Sequence, residues 1–297
     1  MKFVTALILL SVHLATVFAQ DTLKVYEVKK TFSKGNHNGF SVKIPKAKLK
    51  EVISGWKKNI NQENKISIKE IEGEYYLAKT IIPELSSDSI IIYTIIKPNP
   101  TYVELVSFVS GDDSIFYSFA SHPSISLNIS EFIRNFAANE FRKVVNDELK
   151  LEQKKLIALE EDIKKLERDN ESYEKKIKSN ERANERTQEE IKSNLQLQEL
   201  KSASILQQQK ILVTYLTQSE QKIDEEKKIK SLQKEKRKLE KDNESMHEDI
   251  DEKESDNKDL QKKIDKNNNE IIPAKIEEIK KQKEVIIIVE TKLKGIR

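Results

Sequence analysis

Cysteine is absent from all 297 residues, which excludes disulfides, thiolate metal sites and lipid attachment at an N-terminal cysteine. Glycine and proline are scarce, six of each, and neither occurs between Ser124 and Ile272, a stretch of 149 residues. The glycines stand singly, so no loop of them can cradle a phosphate, and no serine sits in a nucleophile elbow. Beyond the first twenty residues the only histidines are His37, His122 and His247, far apart and without ligand spacing. The longest later apolar run, Val285 to Val289, has five residues where a bilayer needs about 20. These absences predict a protein with no catalytic centre, no metal and no cofactor.

What remains is polar. Charged residues make up 35% of the chain and hydrophobic ones 37%, too little for one large globular core, so the apolar residues must be concentrated. Residues 20–130 carry 14 lysines and 12 acidic residues; residues 131–297 carry 38 basic and 38 acidic. A nucleic-acid binder needs a basic stripe unopposed by carboxylates, so the net charge of +3 predicts no nucleic-acid partner. Met1 to Ala19 has one lysine, Lys2, then an apolar run from Phe3 to Phe18 and small residues at its end. It reads as a cleavable secretory signal rather than a membrane anchor, and predicts an exported, soluble product, periplasmic or extracellular.

From Leu23 to Pro123 the pattern is mainly that of strands. Val25 to Phe32 and Phe40 to Ile44 read as a hairpin around the turn Ser33 to Gly39. Leu49, Val52, Ile53, Trp56 and Ile60 have helical spacing, which predicts a helix over 46–60 with Trp56 as the anchor of its apolar face rather than a ligand platform. Ile66 to Ile71, Tyr75 to Ile82, Ser89 to Lys97 and Tyr102 to Val109 are β-branched and aromatic runs split by turn residues. The expected domain, 20–130, is an α+β fold: a twisted antiparallel sheet with helices on one face. Gly111-Asp112-Asp113-Ser114 reads as a solvated turn, since no calcium-loop spacing follows. Ile125, Ile129, Phe132, Ile133, Phe136, Ala137 and Phe141 then predict a helix packed on the sheet, with 131–148 as a rigid connector.

Beyond it, apolar residues recur at alternating spacings of three and four, the pattern of a long α-helical coiled coil. The expected seam includes Leu156, Leu159, Ile163, Leu166, Asn170, Tyr173 and Ile177, then Leu239, Asn243, Met246, Ile250, Leu260 and Ile264. Asparagine at such positions costs stability and selects register, because its amide needs a partner within the seam. On that ground Asn170→Leu is expected to raise thermal stability while broadening the oligomer distribution.

The coil repeats itself. Leu166-Glu167-Arg168-Asp169-Asn170-Glu171-Ser172-Tyr173 returns as Leu239-Glu240-Lys241-Asp242-Asn243-Glu244-Ser245-Met246, and Ile177, Asn184, Gln188, Ile191, Asn194, Gln209 and Lys210 return as Ile250, Asn257, Gln261, Ile264, Asn267, Gln282 and Lys283, always 73 residues on. A constant offset points to tandem duplication, with copies at 149–221 and 222–297. Since 73 is ten heptads plus three, a phase break must lie between the copies. Joints are expected at Ser193 to Leu200 and at Lys266 to Asn269, where Pro273 would start a new helix. The coil is then extended with at least one break, dimeric or folded back; a straight helix over the whole stretch would reach about 220 Å. Ala274 to Arg297, seven basic and four acidic residues around Val285 to Val289, reads as a packed terminal helix, with contact to a membrane surface as the alternative.

Phe32-Ser33-Lys34-Gly35 with Asn38, Trp56-Lys57-Lys58, Leu239 to Asn243 and Ile279 to Val285 resemble exported proteins of Gram-negative bacteria that join a small α+β domain to a coiled coil. That resemblance implies the architecture and carries over no functional residue, the family having no known activity. The expected function is structural or scaffolding, with a protein partner, self or other, engaged through the coil. A periplasmic holdase-type chaperone with helical arms is the alternative.

Overall fold

The structure, a computed structural model, describes residues 23–61, 68–111, 115–215 and 220–296. The signal segment at 1–19 and the pair Asp112-Asp113 lie outside the described residues. The chain forms an α+β domain followed by long helices, in two compact units: one of residues up to Leu156 together with Lys281 onward, the other Ile157–Lys280. The last seventeen residues thus belong with the α+β unit rather than with the rest of the second repeat.

In the first unit six antiparallel strands, β1 (Tyr26–Phe32), β2 (Gly35–Pro45), β3 (Lys69–Ile71), β4 (Glu74–Ile82), β5 (Ser86–Pro98) and β6 (Tyr102–Ser110), form one sheet in the order β1-β2-β6-β5-β4-β3. Helix α1 (Leu49–Ile60) lies between β2 and β3 in sequence, and α2 (Pro123–Val213) follows β6. The first turn is shorter than its composition suggested. Phe32 pairs directly with Gly35, leaving only Ser33-Lys34 outside the ladder, with Gly35 at φ +108°. The rest of that glycine and asparagine run is strand for reasons of packing. A Cβ on Gly39 would sit 2.7 Å from the Phe108 ring, and Asn38 Nδ2 donates to Glu27 on the neighbouring strand at 2.6 Å.

Alternation along the strands sends Phe40, Val42, Ile44, Leu77, Ile90, Ile92, Val103 and Leu105 to one face, where α1 and the start of α2 cover them. Trp56, 1% exposed, meets Phe136 and Phe132 edge-on with ring centroids 4.9 and 6.0 Å away. Its Nε1–H donates to Thr94 Oγ1 at 3.0 Å, and Thr94 in turn is 3.0 Å from Ser107 Oγ. Trp56 is therefore a core anchor whose polar edge is satisfied inside the sheet. The other face carries a smaller cluster of Phe32, Ile91, Tyr93, Val106, Phe108 and Phe116, with Phe32 stacked on Phe108.

The C-terminal helix α4 (Ile272–Gly295) ends in this unit, where Val289 and Ile296 join the core and Leu293 packs against it. Polar contacts hold it: Lys292 Nζ donates to Glu148 Oε2 at 3.1 Å, Arg142 to the Ile296 carbonyl at 2.9 Å, and Gln282 Nε2 to Glu152 Oε2 at 2.8 Å. Burial pushes the Glu148 carboxyl up, but the hydrogen bonds and charges of Lys292 and Lys46 outweigh burial and hold it below its ordinary value.

Candidate functional site: the asparagine seam

The second unit consists of helix. It contains the later part of α2, helix α3 (Glu220–Lys266), a π-turn at Asn267–Ile271 and the first turns of α4. Neither expected joint breaks a helix. α2 runs unbroken through Ser193 to Leu200. At the other place the chain widens into the π-turn, with the Ile272 N–H reaching back to the Asn267 carbonyl, and continues through Pro273 as helix. A wider turn carries one residue more than an α-turn, so a proline just after it can be accommodated without ending the helix. α2 instead stops at Val213, where Thr214 Oγ1 donates to the Ile211 carbonyl at 2.6 Å in competition with the backbone.

Two helical segments of one chain then lie antiparallel. Of the arrangements left open by the sequence, the folded-back one is observed. Its partners climb one helix as they descend the other: Asp162 with Lys275, Asn170 with Asn267 and Asn268, Asn180 with Asn257, Asn194 with Asn243, Lys201 with Glu235. Asn267 Nδ2 donates to Asn170 Oδ1 at 2.7 Å while Asn170 Nδ2 donates to Asn268 Oδ1 at 2.9 Å. Asn180 Nδ2 reaches Asn257 Oδ1 at 2.8 Å and Asn194 Nδ2 reaches Asn243 Oδ1 at 2.9 Å. In each bond an amide of one helix donates to an amide of the other. Because a slip of one residue would leave the buried Asn170, Asn243 and Asn267 unpaired, the asparagines set the register.

The seam residues named from the sequence all face inward. Asn170, Asn243, Ile250, Leu260 and Ile264 are buried; Leu159, Ile163, Leu166, Tyr173, Ile177, Leu239 and Met246 are half-buried, as is Leu156 in the first unit. The Lys263 ammonium lies 5.8 Å above the Tyr173 ring. Ile229 was missed, although it is buried. It stands 73 residues after Leu156, so carrying the repeat back towards the N-terminus would have found it. Ion pairs Lys176–Asp256, Lys275–Asp162 and Lys201–Glu235 close the flanks, and in the last two the lysine hydrogen-bonded to the carboxylate holds it below its usual range. The carboxylates are exposed, so these pairs contribute little to stability.

Halfway along this unit, Glu181, Asn184, Glu185, Gln188, Glu254, Asn257 and Lys258 line a shallow polar cleft of about 520 Å³. Among the described residues no three His, Asp or Glu side chains gather to hold a metal, and no helix is long and apolar enough to cross a membrane. What the arrangement offers chemically is surface. Around the seam of the last part of α2, Leu195, Leu197, Leu200, Leu206 and Val213 stay exposed, Leu200 at 65% and Val213 at 86%. No known protein family, curated protein or solved structure matches the chain.

Proposed function

We propose that the protein is an exported, non-enzymatic scaffolding protein that engages a protein partner through its helical hairpin. The observation that carries this reading is an excess of apolar surface where the seam is already closed. Between Ser193 and Thr214 only Glu199, Lys201 and Lys210 are charged, and the leucines named above lie outside the seam. An intramolecular seam has no need of them, and a soluble helix gains nothing by showing them, so they are available to a partner. The chemistry of that partner is apolar and helical or extended.

The same leucines favour a second reading, a holdase that clasps unfolded chains. The two readings separate in a client assay with the full-length protein. A scaffold leaves the aggregation of a denatured client unchanged, whereas a holdase suppresses it near a one-to-one ratio. Replacing Leu195, Leu200 and Leu206 together by glutamate should abolish partner crosslinks in the exported fraction while leaving helicity intact. Crosslinks that survive this substitution would remove the surface from consideration.

A further inference from the structure

We infer that the hairpin is two equivalent helices, repeat one against repeat two, related by a local two-fold axis beside Arg182 and Ser255, and that the π-turn takes up one surplus residue in the second repeat. This stands independently of the proposed function. The axis follows from the contacts. Asn170 and Asn243 are repeat-equivalent, as are Asn194 and Asn267. The Asn170–Asn267 pair therefore turns into the Asn243–Asn194 pair when the repeats are exchanged. Arg182 and Ser255 lie midway between those two pairs on their respective helices, and they too are repeat-equivalent. The cleft wall shows the same symmetry, for Glu181 and Glu254, Asn184 and Asn257, and Glu185 and Lys258 are equivalent pairs. Such an arm has the geometry of an antiparallel homodimer whose two strands have been fused into one chain.

The ion pairs reveal the surplus residue. Asp162–Lys275 corresponds to Glu235–Lys201 under the same exchange. Asp162 and Glu235 are 73 apart, but Lys201 and Lys275 are 74 apart. The half-buried positions agree, since Ile205, Gln208 and Leu212 match Ile279, Gln282 and Ile286 at 74, whereas Gln209, which matches Gln282 at 73, is exposed. The offset changes between Asn267 and Lys275, and Asn267–Ile271 is the one place there where the helix carries an extra residue per turn. Without that turn everything after it would rotate by about 100° and lose the seam.

The symmetry also explains a buried oxygen. Asn184 Oδ1 is buried and has no hydrogen-bond partner. Its repeat-equivalent, Asn257 Oδ1, accepts from Asn180 Nδ2, and the position equivalent to Asn180 is Lys253. The second repeat carries lysine where the first carries the donor amide, so that acceptor lacks its partner.

Variants of the full-length protein test the inference by melting of the helical signal. Measured against Pro273→Ala alone, which removes the proline that the wide turn accommodates, deleting Asn269, exposed in the π-turn, in that same Pro273→Ala background should convert the turn to α-helix and shift the melting temperature by no more than about 2 °C. Deleting Gln196, the equivalent residue of the first repeat, should lower it by at least about 10 °C or prevent folding, since no surplus exists there. Lys253→Asn should raise it by about 2 °C, a size expected for one added buried hydrogen bond, and Lys253→Ala should not. Equal losses from the two deletions, or no rise with Lys253→Asn, would overturn the inference.

Discussion

Trp56→Ala should lower the stability of the α+β unit by about 3–5 kcal/mol, the usual cost of emptying a buried tryptophan site. The cost sits at the high end of that range for two reasons. The indole is covered on one side by Phe132 and Phe136 of α2 and on the other by the sheet, so two layers would have to move to fill the void. Its N–H also satisfies Thr94 at the centre of β5. Trp56→Phe separates these contributions: it keeps most of the ring and drops the hydrogen bond, and Thr94 keeps Ser107 as a partner, so about 1 kcal/mol should be lost. Urea denaturation followed at a near-ultraviolet tyrosine band measures both. A loss under about 1.5 kcal/mol for Trp56→Ala would mean that α1 is not the lid of this core.

The second large effect reverses the expectation drawn from the heptads. Asn170→Leu removes an amide that both accepts from Asn267 and donates to Asn268. Asn267 is itself buried, so its side chain would be left without a partner, and an orphaned buried polar group costs about 1–3 kcal/mol. The single substitution should destabilise by about 2 kcal/mol. Adding Asn267→Leu removes the orphan and puts two apolar side chains face to face, and the double variant should equal or exceed the parent. Thermal melts of the two singles and the double form a cycle whose coupling is favourable to the double by about 2 kcal/mol or more. Additive effects would mean that the two residues do not meet.

Trp56 and Asn170 differ in how far the chain itself declares their partners. Trp56 belongs to a local pattern: helical spacing over Leu49 to Ile60 and strand alternation on either side made the α+β class and the role of the tryptophan legible without any knowledge of pairing. The seam residues were legible too, because a heptad declares which face is apolar. What a heptad does not declare is what that face meets. The partner of Asn170 lies 97 residues away, and only the fold says that it is another asparagine of the same chain. The expected joints failed for a related reason. Asn267 to Asn269 and Pro273 are helix-weakening residues, but tertiary pairing on the opposite helix holds the chain helical through them, and the strain appears as a π-turn. At Ser33 to Gly39 composition misled in the same way, since Gly39 serves the approach of Phe108 and not a turn.

The repeats close the seam within one chain. Glu181 and Glu254 are exposed, 73 residues apart, and line the same cleft. With no cysteine elsewhere, Glu181→Cys and Glu254→Cys can be spin-labelled cleanly and the distance between the labels measured by pulsed electron resonance, with excess unlabelled protein to remove contacts between chains. The folded-back seam predicts a single short distance, below about 30 Å, unchanged by dilution. In a continuous helix the same two residues would stand about 110 Å apart, and loss of the short distance on dilution with unlabelled protein would contradict the account.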